Sequence, residues 1–354
     1  MVDLREKDEI EKILKQAYAI SKNISNKREK VDILCDIANI MLKIDQEKEA
    51  KKLLKRALNI SQNISYPFFK ASAICKISEI LRKISKKERA KELLLDSLDE
   101  FEQISFSIDE KASALGKVAG VLAQLGELDM ALKLTDNFSN RYGKTKALAV
   151  ISDELIKNDR VEEGEDKLEE ALKFAEEIVF SLEKRSRALA DIAKVYSNHG
   201  EMKKALEIAK DIQFGQLKKD AIIRIAKNTK DDLEPKKTEK ILKECYMLAQ
   251  DISKDHARAT AYSQIAGAMI ENGQEKKGKN ILEKSLKLAD STALPHRYKK
   301  AISLCDAAST LKGKIDENRA YEVLEKALRI SKDISNYQKK AETLLKISEV
   351  ATKS

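Results

Sequence analysis

Tryptophan is absent from this chain, and proline occurs only three times and glycine eleven times in 354 residues. So little turn chemistry excludes a sandwich or barrel of many short strands joined by tight hairpins. No run of about 18 apolar residues occurs, the length a membrane-spanning helix needs. The opening residues MVDLREKDEI carry charge where a secretory leader would carry an apolar core, so a cytoplasmic protein is expected. The four cysteines, Cys35, Cys75, Cys245 and Cys305, stand far apart with no CxxC pair, which indicates neither a disulfide framework nor a zinc site. Reduced thiols are expected.

What is plentiful is charge. Lys, Arg, Asp and Glu make up 36% of the chain, and 68 basic residues against 59 acidic ones leave a net charge of +9. The signs are mixed along the sequence, which reads as a solvated helical surface more than as one basic patch. Richness in Lys, Glu and Ile is also the pattern of thermophile proteins.

A short phrase recurs: AISKNIS at 19–25, NISQNIS at 59–65 and RISKDIS at 329–335, with a worn copy, LAQDIS, at 248–253. Taking its second isoleucine as anchor gives Ile24, Ile64, Ile104, Phe138, Ile178, Ile212, Ile252, Thr292 and Ile334, spaced by 40, 40, 34, 40, 34, 40, 40 and 42. About 14 residues after each anchor stands a small residue: Ala38, Ser78, Ala119, Ser152, Ala193, Ala226, Ala266, Ala308 and Ser348. Apolar residues four and one positions before it complete a stripe that predicts one amphipathic helix per repeat, here termed A.

Twelve residues beyond lies a second small residue: Ala50, Ala90, Ala131, Gly164, Ala205, Thr238, Gly278 and Ala320. Exposed positions would accept Lys or Glu equally well, so these mark where a second helix, B, presses on A. The long repeats add about seven residues to helix B, close to two full turns, and the packing face survives. Their further small residue is Ala57, Ser97, Ala171, Cys245, Ser285 or Ala327, which explains Cys245 as packing. The recurring phrase is then the end of B and its turn into the next A, with Asn, Ser or Asp as cap and Pro67 and Pro295 in that turn. Pro235, in the irregular stretch 228–240, suits a helix start.

These patterns predict one all-α repeat domain over 1–354, with about eighteen antiparallel helices. It runs from a capping B helix near 4–21, where Ala17 keeps the later small position and Ile10 replaces the first, to an A helix near 338–352.

The chain resembles the tetratricopeptide repeat superfamily along essentially its whole length. The resemblance is carried best by LGKVAGVLAQLGELDMAL (115–132) and LADIAKVYSNHGEMKKAL (189–206), where Leu189, Ile192, Ala193, Tyr196, Gly200 and Ala205 hold the family's apolar, small, aromatic, turn-glycine and second small positions. The family's opening tryptophan is missing throughout, its helix B aromatic is missing from both short units, and most repeats lack its closing proline. This is a divergent, extended variant, with HEAT-type repeats the alternative suggested by the 40-residue period. The resemblance implies a right-handed αα-hairpin superhelix with a concave face. It places Cys35, Cys75 and their mostly small equivalents on that face, leaving room for a bound segment or allowing neighbouring A helices to pack. It also implies groove positions at Asn39, Arg82, Lys83, Lys146, Lys157, Arg187, Lys194, Lys227 and Lys230. Chaperone-binding members of the family carry lysine where this chain has Cys35 or Cys75, so a clamp for a C-terminal carboxylate is not expected.

No catalytic constellation can be assembled. GQEKKGKN at 273–280 comes within one residue of a phosphate-binding loop, but Asn280 replaces the hydroxyl residue, no strand precedes it, and Gly273 and Gly278 already serve as turn and packing residues. His199, His256 and His296 fall at unlike repeat positions and read as surface residues. Neither a cofactor nor an enzyme is expected. The expected function is a non-catalytic scaffold binding a protein or peptide, one with acidic segments, on its concave surface. An RNA-binding helical-repeat protein is the alternative, disfavoured by the uneven period and the apolar Cys35-type position.

Overall fold

The structure is a computed structural model that describes residues 7–98, 108–136, 138, 140–230, 234–292 and 296–352. Eighteen α-helices, a 3-10 turn at Asn228–Lys230 and no strand occur among the described residues. The B helices are α1 (Lys7–Ser21), α3 (Glu47–Gln62), α5 (Lys87–Asp96), α7 (Leu128–Asp136), α9 (Val161–Glu176), α11 (Met202–Asp211), α13 (Pro235–Gln250), α15 (Glu275–Ser291) and α17 (Glu317–Lys332). The A helices alternate with them: α2 (Lys27–Lys43), α4 (Pro67–Lys83), α6 (Ile108–Leu125), α8 (Arg141–Lys157), α10 (Leu182–Asn198), α12 (Gly215–Lys227), α14 (Asp255–Glu271), α16 (Arg297–Leu311) and α18 (Tyr337–Ala351).

The small residues lie where A and B meet. All nine from Ala38 to Ser348 have 0% exposure, and so do Ala50, Ala90, Ala131, Ala205 and Ala320 in the B helices. Ser78 donates its hydroxyl to the Ala90 carbonyl at 3.3 Å, and Ser152 does the same to Gly164 at 2.6 Å. A methyl group on Gly278 would stand 2.8 Å from the Ala266 carbonyl oxygen, in the same register. The later small position makes a second contact: Ser285 donates to the Ala259 carbonyl at 2.7 Å, and Thr145 lies 3.5 Å from that of Ala171.

The recurring phrase has a physical basis too. Its first serine is buried and closes helix B, with Ser21, Ser61 and Ser331 each donating to the carbonyl three residues back at 2.7 Å. The next A helix is capped by Asn26, Ser181 or Asn336 side chains accepting from first-turn amides. Pro67 is itself the first residue of α4, where its missing N–H costs nothing, and Pro235 begins α13 in the same way. Pro295 and Ile104 lie outside the described residues. The A to B turn is a recurrent left-handed cap. Seven residues after the small residue, Gly126, Gly200 and Gly273 have φ of 97°, 83° and 77°, and the following amide bonds back to the carbonyl five residues earlier. Asp45, Ser85 and Asp159 hold the same place with φ of 61°, 57° and 62°.

The helices form two compact units, Met1–Leu53 with Gly215–Ser354, and Leu54–Phe214. In the second, Leu115, Val118, Leu122, Ile151 and Leu155 belong to one continuous core under α4, α6 and α8. Each such leucine contributes about 1.5–3 kcal/mol through burial. Gly116 lets two A helices approach closely, since a methyl there would lie 2.8 Å from the Gly143 carbonyl oxygen.

In the first unit the first and last described helices meet. α18, an A helix, and α1, a B helix, pack on each other, while α2 packs beside α18. A polar ladder links the A helices there. Thr260 on α14 donates to Asp306 on α16 at 2.9 Å, Lys346 on α18 pairs with Asp306 at 3.3 Å and with Glu349 at 3.8 Å, and Glu349 accepts from Lys43 on α2 at 3.0 Å.

Candidate partner-binding surface

The A helices α4, α6, α8 and α10 of the second unit present one charged face, and the candidate site is built on it. They converge: the Glu79 carboxyl on α4 lies within electrostatic reach of Lys194 on α10, though α6 and α8 stand between them in the sequence of A helices. Between α4, α6 and α8 opens a cavity of about 360 Å³. Cys75, Gly116, Gly120, Val121 and Val150 line its apolar part, and Lys76, Glu79, Lys117 and Lys146 its charged part. Lys117 is held there by Ser72, whose hydroxyl oxygen accepts at 2.9 Å, and its ammonium lies 5.2 Å from the centre of the Phe68 ring.

Burial pushes the carboxyl of Asp191 on α10 upward, although Lys146, Lys194 and Arg187 oppose the shift. Glu79 is raised by desolvation in the same way, against Lys83, Lys76, Arg82 and Lys194. Tyr142 is pushed up to about 12 by burial, with Asp191 adding to the effect. No ion pair among the described residues includes Lys146, Asp191 or Lys194. The B helices differ: Lys277 on α15 pairs with Glu239 on α13 at 2.6 Å, and Arg319 on α17 grips Glu283 on α15 through both oxygens. The chain thus pairs charge with charge across neighbouring B helices, and leaves Lys146, Asp191 and Lys194 on the α4–α10 face without ion pairs.

The candidate residues distribute unevenly. Cys75, Arg82, Lys83, Lys146, Lys157, Arg187 and Lys194 belong to this unit, whereas Cys35, Asn39, Lys227 and Lys230 belong to the other. Of the first group, Cys75 and Lys146 border the cavity. Lys157 is occupied by Asp153 at 2.6 Å and Glu154 at 2.9 Å, and Arg187 by Glu183 at 2.6 Å. Arg82 borders a separate cavity with Lys86 and Arg89, and Lys83 is exposed at the end of α4. In the other unit Cys35 has 0% exposure, as do its equivalents Ser263 and Cys305, so this register position serves packing between A helices. Burial raises the Cys75, Cys245 and Cys305 thiols, which are free and unreactive. Asn39 is half-buried on α2, Lys227 is exposed at the end of α12, and Lys230 closes the 3-10 turn after it.

The register implied by the resemblance passed over Lys76, Lys117 and Asp191. All occupy the place one residue after the Cys75-type position, shared by Asp36, Arg224, Gln264, Asp306 and Lys346. A polar residue there in eight of nine repeats, flanked by buried neighbours, is the signal that marks it.

His199 is not a surface residue. It is half-buried, and its Nε2 lies 2.9 Å from Asp153, which also accepts from Asn198 at 3.1 Å. This clasp ties α10 to α8. His256 is half-buried with its pKa lowered to about 4, first by desolvation, and His296 is exposed. The loop-like 273–280 segment is the turn and first residues of α15, with Gly278 packed on α14. Among the described residues no helix is long and apolar enough to cross a membrane, and no group of three or more His, Cys, Asp or Glu could hold a metal ion.

No protein-family model matches the chain, and a search of curated proteins gives no match. Solved structures with a similar course include that of Ton1535 from Thermococcus onnurineus NA1, at 20% identity and TM-score 0.40, covering 96% of this chain and 98% of that one. Two crystal structures of Podosopora anserina putative kinesin light chain nearly identical TPR-like repeats align at 14% identity and TM-score 0.30, covering 76% and 77% of this chain and 97% and 100% of theirs. The protein is an all-α chain of αα-hairpins, and its structural neighbours include TPR-like repeat proteins.

Proposed function

We propose that the protein is a non-catalytic scaffold that holds an acidic protein or peptide segment against the α4, α6, α8 and α10 face. The observation that carries this reading is the pair Lys146 and Lys194, which both act on the Asp191 carboxyl but belong to no ion pair among the described residues, with Lys146 also lining an open cavity. Lys146 and Lys194 act on Asp191 without an ion pair, so both can still take a partner's carboxylates. Solenoid surfaces of this kind bind by area and charge pattern without a reaction centre.

The test uses fluorescence anisotropy of a labelled glutamate-rich peptide titrated with the full chain at several salt concentrations. Binding should weaken as salt rises, and the Lys146→Glu/Lys194→Glu variant should bind at least about tenfold more weakly with a flatter salt slope. Equal binding by both proteins would move the site off this face. Tighter binding of single-stranded RNA than of the peptide, lost in the same variant, would overturn the protein-partner reading in favour of nucleic acid.

A further inference from the structure

The signs of charge are mixed along the sequence, but the first unit sorts them in space. Its A helices stand side by side in the order α12, α14, α16, α18 and α2, and they run parallel. The first turns of α16 and α18 meet where the Lys339 ammonium lies 5.8 Å from the centre of the Tyr298 ring, and the last turns of α2 and α18 are joined by Lys43 and Glu349. The B to A turns of this unit therefore share one edge, and its A to B turns the other. The first edge, made of 21–30, 215–218, 250–258, 291–300 and 332–340, carries 13 Lys or Arg against 4 Asp or Glu. Over the matching stretches of the second, 43–50, 227–238, 271–278 and 311–320, the numbers are 11 and 10.

Part of that surplus is structural. Lys30, Lys300 and Lys340, at one register position, donate to carbonyls at the ends of the preceding B helices at 3.0, 2.6 and 2.7 Å. A carbonyl brings no counter-charge, so the positive field remains. Other cations on the edge have no such task. Arg297, Lys300, Lys326 and Arg329 line a cavity of about 580 Å³ between the start of α16 and the end of α17, where Asp333 is the one acid. Neither Arg297 nor Arg329 enters an ion pair among the described residues. At the start of α14 the field is felt by His256, held near 4 first by burial and then by Lys299, Lys254, His296 and Lys219.

We propose that this edge of the first unit is an interaction surface for single-stranded nucleic acid, whose phosphates lie along the row of Lys and Arg. Arginine forks such as those in the cavity match phosphate oxygens in pairs. Tyr337, 51% exposed at the start of α18, and the exposed His296 offer ring faces on which nucleobases stack. An anionic bilayer is matched less well, because Tyr337 is the one exposed large apolar side chain among the described residues of these stretches. Phosphate contacts carry no base code, so the unequal repeat lengths are no obstacle. The surface belongs to the unit that does not hold the α4–α10 face.

The test is fluorescence anisotropy of a labelled single-stranded oligonucleotide of mixed sequence, titrated with the full chain at several salt concentrations. Micromolar binding at about 150 mM salt is expected, weakening as salt rises. The Lys254→Gln/Arg297→Gln/Arg329→Gln variant, changed at exposed residues only, should bind at least about tenfold more weakly, with a salt slope shallower by about 2. Lys236→Gln/Lys240→Gln/Lys276→Gln makes the same change of net charge at exposed residues of the other edge and should bind like the unsubstituted protein. Tyr337→Ala should lose about fivefold or more. No binding at about 150 mM salt, equal loss in the two glutamine variants, or loss in Lys146→Glu/Lys194→Glu overturns the proposal. Tighter binding of phosphatidylglycerol vesicles, or of the same sequence as a duplex, also overturns it.

Discussion

The hydroxyl of Ser152 on α8 donates to the main-chain carbonyl of Gly164 on α9, 2.6 Å away, and Ser78 makes the same bond to Ala90 two repeats earlier. The bond fixes how near the two helices of a hairpin can stand, and the first prediction follows from that spacing. Gly278→Ala in α15 sets a methyl 2.8 Å from the Ala266 carbonyl oxygen and 2.5 Å from Ile270. Overpacking of this kind costs about 1–3 kcal/mol, partly offset by about 1 kcal/mol of helix propensity. A net loss of about 1 kcal/mol is expected by urea denaturation. Gly215→Ala, with nothing within 4 Å of the added methyl, should cost nothing.

Ser85 points the other way. It occupies the turn position of Gly126, Gly200 and Gly273 with φ of 57°, where a side chain is disfavoured. Ser85→Gly is expected to raise stability by about 0.5–1 kcal/mol, seen as a higher denaturation midpoint at unchanged slope. Gly200→Ser, the reverse change, should lower it by a similar amount.

Two aspartates should give opposite responses to pH. Burial pushes the Asp153 carboxyl up, but hydrogen bonds from Lys157 and Asn198 and the charges of Lys157 and His199 outweigh it and hold the group below its ordinary value. Its stabilising effect is present above the unfolded carboxylate value of about 3.9 and is lost as pH falls through the lower folded value. Asp191 is raised by desolvation, so its ionised form is a cost in the folded state at neutral pH. That cost begins to shrink as pH falls through its raised folded value and is gone below the unfolded carboxylate value of about 3.9. Asp153→Asn should therefore destabilise at pH 7 and Asp191→Asn stabilise, with thermal melts at pH 7 and at acid pH as the measurement. Equal signs for the two variants would refute this assignment.

The clasp on α8 and α10 gives a further check. His199→Ala removes one partner of Asp153 and leaves Lys157 and Asn198 in place. A loss of about 1 kcal/mol is expected, near the usual net value of one hydrogen bond. Amide exchange should quicken in α10 and not in α16, which lies in the other unit.

The sequence carried the fold almost completely because its strongest signal, a small residue wherever two backbones must approach, is set by sterics alone. Ala38 and its eight counterparts had to be small whatever else the chain did. The candidate site was harder to see. Lys146 and Lys194 lie on A helices, but whether a lysine is paired depends on neighbours one or two repeats away. Lys157 and Arg187 look like Lys194 in the sequence, and their own helices neutralise them through Asp153, Glu154 and Glu183. Lys76 and Lys117 joined the site because Gly116 and Gly120 open a cavity beside them. The three left-handed turns at Asp45, Ser85 and Asp159 were hidden for a related reason: only glycine announces that conformation, and the backbone bonds that impose it are silent in the sequence.

The packing of α1 on α18 has a consequence for where the polypeptide can be cut. α1 and α18 pack on each other although most of the sequence lies between them, so a break in a turn does not part them. A chain cut at the exposed Asp159–Arg160 turn carries α1 in one piece and α18 in the other, and the two pieces should stay together with the helix content of the uncut chain. Ends opened inside α6, between the fully buried Leu122 and its neighbour Ala123, should prevent folding.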